Sequence, residues 1–142
     1  MLDQAKIVVR YADGKTLKGY SHDFSPFAAS FHIRDRALGG PQEGQEVFIS
    51  DLKAVFFVRD FHGDNSREDR KHFLAGNMIP GRKVQVIFKD GEVLVGSTAG
   101  YDRHRPGFFV FPADPRSNNI RVYVVMAAIQ DVHFLSASLI EQ

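Results

Sequence analysis

The chain has 142 residues, 44% of them apolar, and carries 18 basic and 17 acidic side chains for a formal charge of +1. That apolar content is too high for a disordered chain, and the balanced charge lacks the basic excess of a dedicated nucleic-acid binder. With no cysteine, disulfides, thiolate metal sites and cysteine nucleophiles are excluded.

The chain opens Met1-Leu2-Asp3-Gln4, without an apolar signal core, and passes directly into a strand pattern. No apolar run reaches membrane-spanning length, so the expectation is a soluble cytoplasmic protein. Residues 6–11 are β-rich and lead into Asp13-Gly14, a strong hairpin signal because the turn needs φ > 0 and Gly accepts it without strain. The return strand covers 16–20, with Gly19 inside it marking a bend or a close backbone approach. Further strands are expected at 29–34, 46–49 and 54–58, the last two separated by a short turn at 50–52.

Residues 61–81 read as a linker. Ser66 followed by Asp69 predicts a helix N-terminus, with a short helix over 67–74 closed by Gly76. The strand pattern then restarts: 83–88, a second Asp-Gly turn at 90–91, 93–98 with Gly96 inside, 107–111, 120–125, a turn at 126–128, and 131–135.

The second series is the first one shifted by 77 positions. Residues 6–57 align with 83–134 without a gap, and ten positions are identical, among them Asp13/Asp90, Gly14/Gly91, Gly19/Gly96, Phe31/Phe108, Val55/Val132 and Phe57/Phe134. Chance supplies about three. The expected fold class is therefore all-β: two tandem five-stranded SH3/Sm-like small barrels from an internal duplication. The boundaries are 1–60 for the first barrel, 61–81 for the linker with its short helix, 82–136 for the second barrel and 137–142 for a tail. Each half is close to the lower size limit for independent stability, so a shared interface is expected. Helical halves, or one continuous sheet, would contradict the duplication. Phe31, Phe57, Phe108 and Phe134 are the expected core phenylalanines.

Segments 13–19 (DGKTLKG), 51–61 (DLKAVFFVRDF), 100–109 (GYDRHRPGFF) and 117–124 (SNNIRVYV) resemble an uncharacterised bacterial family of small duplicated β-barrel proteins. The resemblance spans almost the whole chain and implies no known activity. At the level of fold, the D-G-x-x-L-x-G hairpin and the strands after it are similar to Sm-like proteins. Residues 22–28 resemble the D-x-S-x-x-G motif of PilZ domains, which bind cyclic di-GMP, but Ala28 stands where the motif has Gly. The upstream R-x-x-x-R is also missing, since Arg10 is the only arginine in residues 1–22. The structural alternative is a turn capped by Asp23 and Ser25.

Several constellations invite a chemical reading, each with a plainer alternative. Asp60, His62 and Asp64 alternate as metal ligands would in an extended stretch, or they are a polar linker; no metal or other cofactor is expected. Arg103, His104 and Arg105 form the densest basic loop, where arginine can clamp phosphate or carboxylate; the alternative is a charged surface loop in which Asp102 pairs with Arg103. Arg116, Asn118 and Asn119 form a second polar loop, or cap turns. These six residues are the candidate ligand-binding set, although the two loops belong at opposite ends of strand 107–111. On that strand Phe108 and Val110 should face the core and Phe109 and Phe111 outward. The outward pair is a possible interface, set for burial against the other barrel or a partner, or for stacking bases.

No nucleophile, zinc or phosphate-loop motif is present, and Ser21-His22-Asp23 are sequence neighbours that cannot form a triad on a strand. The expected function is a non-enzymatic binding or adaptor protein that engages a protein partner or its own copies, with no membrane partner. The alternative is an Sm-like nucleic-acid or nucleotide-binding regulator.

Overall fold

A computed structural model describes residues 4–35, 44–61, 81–114 and 116–135. The described chain is all-β: ten strands and two single 3₁₀ turns. The strands are β1 Ala5–Tyr11, β2 Thr16–Ser21, β3 Ser30–Ile33, β4 Gln45–Phe48, β5 Leu52–Val58, β6 Arg82–Phe88, β7 Val93–Thr98, β8 Gly107–Pro112, β9 Asn119–Val125 and β10 Ile129–Phe134. The turns, Ile49–Asp51 and Met126–Ala128, immediately precede β5 and β10. The expected helix over 67–74, and His62 and Asp64, lie outside the described residues.

Every pairing is antiparallel. Both hairpins turn where the sequence places them, at Gly14 (φ 97°) and Gly91 (φ 93°), a conformation that disfavours any residue with a Cβ. Gly19 and Gly96 answer to close approach. A Cβ there would lie 2.3 Å from the Arg34 carbonyl oxygen and 2.1 Å from that of Phe111, respectively. Pairs in the first half recur 77 positions on: Ala5↔Ser21 as Arg82↔Thr98, Val9↔Val55 as Val86↔Val132, and Ser30↔Phe48 as Gly107↔Val125.

The halves nevertheless do not form two separate closed barrels. Strand β5 pairs with β9, from Ala54↔Val124 to Val58↔Asn119. Eight strands thereby join in one open sheet, ordered β10-β6-β7-β8-β9-β5-β1-β2, while β3 and β4 form a second sheet. A bridge between Tyr20 and Arg34 ties that pair to β2. The continuous sheet corrects the expectation of two tandem barrels and is the outcome that counts against the duplication, although pairings repeat at an offset of 77. Its physical cause is that an unpaired strand edge exposes a row of N–H and C=O groups, and the β5 and β9 edges satisfy one another.

This junction explains the burial. Strand β5 is apolar at nearly every position, as a strand covered on both faces must be. Val55 and Phe57 face a first core cluster with Ile7, Val9, Phe31 and Val47. Ala54, and the partly buried Phe56, face a second with Val84, Val86, Phe108 and Val110. Strand β9 alternates the same way, giving Tyr123 and Val125 to the first cluster and Val122 and Val124 to the second. Each core thus contains residues from both halves.

Of the four expected core phenylalanines, Phe31, Phe57 and Phe108 are buried. Phe134 is only half-buried, a correction with a clear cause: β10 is an edge strand, and nothing among the described residues covers its outer side. Its ring is met instead by Tyr101, at 5.1 Å between centroids, and by the Arg82 guanidinium at 3.7 Å.

A buried cation also crosses the junction. Lys53 on β5 is 4% exposed. Its ammonium donates to Asp90 (2.7 Å) and to Glu92 at the β6–β7 hairpin and lies 4.7 Å from the Phe88 ring centroid. The hydrogen bond from Lys53 is the main reason the Asp90 carboxyl is held below its ordinary pKa.

Candidate functional site

The β5–β9 junction brings the loop at 22–29 of the first half against strand β8 and the loop at 99–106 of the second. Between them lies a cleft of about 560 Å³. Its lining is mostly apolar: Pro26 and Phe27 from the first half, Phe109, Phe111 and the Tyr123 ring from the second, with Gly100 also in the lining and Arg105 as its cation. Phe27 is 81% exposed and Phe111 43%, two of the large hydrophobic residues the fold leaves in water.

Each wall follows from local sequence. The 22–29 turn is held by Ser25, whose hydroxyl accepts the Phe27 amide (3.2 Å) and whose carbonyl accepts the Ala28 amide (3.3 Å). The 99–106 turn repeats this with Asp102, whose carboxylate accepts the His104 amide (2.9 Å) and whose carbonyl accepts the Arg105 amide (3.0 Å). These are side-chain-capped turns of the kind Ser and Asp favour. Behind the cleft Phe24 meets Phe31, Phe57, Phe109 and Tyr123 edge to face, with centroids 5.0–6.1 Å apart, a preferred geometry for aromatic pairs. Arg121 stacks over Phe57 (4.3 Å) and Phe109 (4.6 Å), and burial lowers its pKa.

Electrostatically the cleft holds one cation. Arg105 lies 3.6 Å from Asp102 and 5.5 Å from the Phe27 ring centroid. Burial raises the Tyr123 phenol, with Arg105 pulling the other way.

Of the sequence-predicted ligand residues, only Arg105 lines the cleft, together with Phe109 and Phe111 from the predicted interface. Asp102 pairs with Arg105, not Arg103. Arg103 and His104 are exposed on the same loop. Arg116, Asn118 and Asn119 sit past the other end of β8, where the amides of Arg116 and Asn119 are capped and the Asn118 side chain binds backbone. Asp114 caps the Arg116 amide (3.0 Å), and the Ser117 hydroxyl accepts the Asn119 amide (3.0 Å). Asn118 exchanges hydrogen bonds with the Asp60 backbone at 3.1 and 2.8 Å. Phe109 faces away from its own half's core and is covered by Phe24 and Phe57 of the first half.

The PilZ-like stretch is a structural turn. Partial burial pushes Asp23 up, but hydrogen bonds from the His32 amide (2.9 Å), the His32 ring (2.8 Å) and the Ser21 hydroxyl (3.1 Å) outweigh it and hold its pKa low. Ser21 donates to the carboxylate rather than to the imidazole. Among the described residues no group of three or more His, Asp or Glu side chains is placed to hold a metal.

The fold and cleft define an all-β protein with an apolar cleft and a single cation at the meeting of two five-strand sets. The chain belongs to DUF6982, a family of unknown function whose model matches residues 3–136. Comparison with curated proteins and with solved structures returns no match.

Proposed function

We propose that this chain is a non-enzymatic adaptor of the bacterial cytoplasm, built from two fused copies of one five-stranded Sm-like module, and that the cleft between the copies docks a protein partner. The recurrence of pairings, turns and close-approach glycines at a constant offset of 77 supports the duplication, and the continuous sheet stands against it. The observation that carries the docking reading is Phe27 and Phe111 standing exposed around an apolar cleft, because a water-facing aromatic patch beside a preformed concavity marks an interaction surface. Tyr, Phe and Arg are also residue types enriched at interface centres.

The nucleic-acid reading draws on Arg103, Arg105 and Arg116. It is disfavoured by the net charge of +1 and because Arg121 stacks on the protein's own rings. Open strand edges offer a route to self-association, but they carry Gln45 and Glu46 on β4 and Asp131 and His133 on β10, and charged edges resist strand-to-strand pairing.

Photo-crosslinking tests the docking reading. With p-benzoylphenylalanine in place of Phe27 or Phe111, cells should yield a discrete adduct with the same protein from both positions. The exposed Ile120 position serves as the control and should yield none. Adducts indistinguishable among the three positions, or absent from all, would overturn it.

A further inference from the structure

The two halves share one loop geometry but differ in what fills it. In the first, the Asp23 carboxylate accepts the Ser21 hydroxyl and the His32 amide and pairs with the His32 ring. Seventy-seven positions on stand Thr98, Gly100 and Phe109. The surrounding backbone is kept: Ile49 N–H to Ala29 O at 3.0 Å recurs as Met126 N–H to Pro106 O at 2.7 Å. The rings are kept as well, since Phe24 against Phe31 at 5.0 Å recurs as Tyr101 against Phe108 at 5.0 Å.

A hydroxyl therefore recurs at position 98, while the carboxylate that receives its counterpart in the first half is replaced by Gly100. Thr98 is 1% exposed, and its hydroxyl has no hydrogen-bond partner among the described residues. Buried hydroxyls in that state are few in native proteins and each needs a reason. A Cβ at Gly100 would meet nothing within 4 Å, so a side chain has room to start there, and Gly100 is an exposed residue lining the same cleft as Arg105.

We propose that the cleft receives an acidic, aromatic segment of the protein partner, its carboxylate seated beside Gly100 where Asp23 stands in the first half. The partner's ring lies against Phe27 and Phe111, and Arg105 supplies the charge, as arginine does for carboxylates. This rests on the docking reading of the cleft and adds the chemistry of its occupant.

Isothermal titration of the full chain with 2-naphthylacetate and with its neutral amide tests it. The acid should bind one-to-one, and the amide about tenfold more weakly, a charge-assisted bond being roughly twice as strong as a neutral one. Arg105→Gln should erase that preference. Gly100→Asp supplies its own carboxylate and should abolish acid binding, whereas Gly100→Ala should keep it. Equal binding of acid and amide, acid binding that survives Gly100→Asp, or no binding of the acid would each overturn the inference. If the naphthyl probes fail while the adducts at positions 27 and 111 persist, the ligand class is wrong and the docking reading stands. Loss of both removes both.

Discussion

Lys53 gives the sharpest energetic test of how the halves are joined, because its pairing is asymmetric. The cation is buried, while the carboxylates of Asp90 and Glu92 are about half exposed. Replacing Lys53 by Met keeps the stem packed on Phe88 and lets both carboxylates return to water. Exchanging a buried ion for a hydrophobic residue of similar volume is often neutral or stabilising. Neutralising the other side, with Asp90→Asn and Glu92→Gln together, leaves an uncompensated ammonium inside the protein. Breaking a buried pair in that way costs about 3–5 kcal/mol. The lower end applies here, since both new side-chain amides still accept a hydrogen bond. At position 90 the single amide oxygen can serve either the ammonium or the backbone N–H of residue 92, where Asp90 has one carboxylate oxygen for each. At this chain length 1 kcal/mol moves Tm by about 2–4 °C, so a loss of ~3 kcal/mol lowers it by roughly 6–12 °C. Thermal and urea unfolding at neutral pH should show Lys53→Met close to wild type and the double amide variant far below it. The reasoning is refuted if Lys53→Met is the more damaging change.

Three further outcomes follow from the same geometry. Phe57→Ala should cost about 3–5 kcal/mol and the equivalent Phe134→Ala distinctly less, because the β9 strand covers Phe57 and no described strand covers Phe134; urea midpoints decide this. Changing Asp131→Ala, His133→Phe, Gln45→Val and Glu46→Tyr together gives both open edges the identities found at the β5–β9 junction, so sedimentation should show concentration-dependent head-to-tail association in the variant but not in wild type. Asp23 and Asp90 both have folded pKa values below their unfolded ones. Their contribution is present above the unfolded value of about 3.9 and is lost as pH falls through the folded values, so Asp23→Asn should flatten the acid limb of stability measured by urea unfolding below about pH 4.

The secondary structure was legible because its signals are local. The two Asp-Gly turns, the buried strand glycines and the inward alternation at Phe31 and Phe108 each depend on a few neighbouring residues and on period-two patterning. The 77-residue offset placed the second set of strands once the first was read. The joining of the halves was hidden, because nothing in residues 54–58 or 119–125 says which free edge each will find. The unbroken apolar character of β5 was the available sign that both its faces are covered. That gap accounts for the misjudged Phe134. It also explains why Phe27 and Tyr123 were missed at the cleft while Arg105, Phe109 and Phe111 were found. The last three sit on one strand and its entry loop, whereas Phe27 and Tyr123 reach the cleft only after β5 meets β9. Asn118 drew notice for its polarity, yet it exchanges hydrogen bonds with the Asp60 backbone of the other half, a pairing that also depends on the junction.

If the cleft docks the partner proposed for it, the affinity of the crosslinked partner for surface variants must respond to the cleft's exposed rings. Phe27 and Phe111 are exposed, so replacing both by Ser should leave Tm nearly unchanged, surface substitutions usually lying within about ±0.5 kcal/mol. Calorimetric titration with the purified partner should show at least roughly tenfold weaker binding for that double variant, a loss of about 1.4 kcal/mol, and unchanged binding for Ile120→Ser. Wild-type affinity in the Phe27→Ser, Phe111→Ser protein would rule out the cleft as the docking surface.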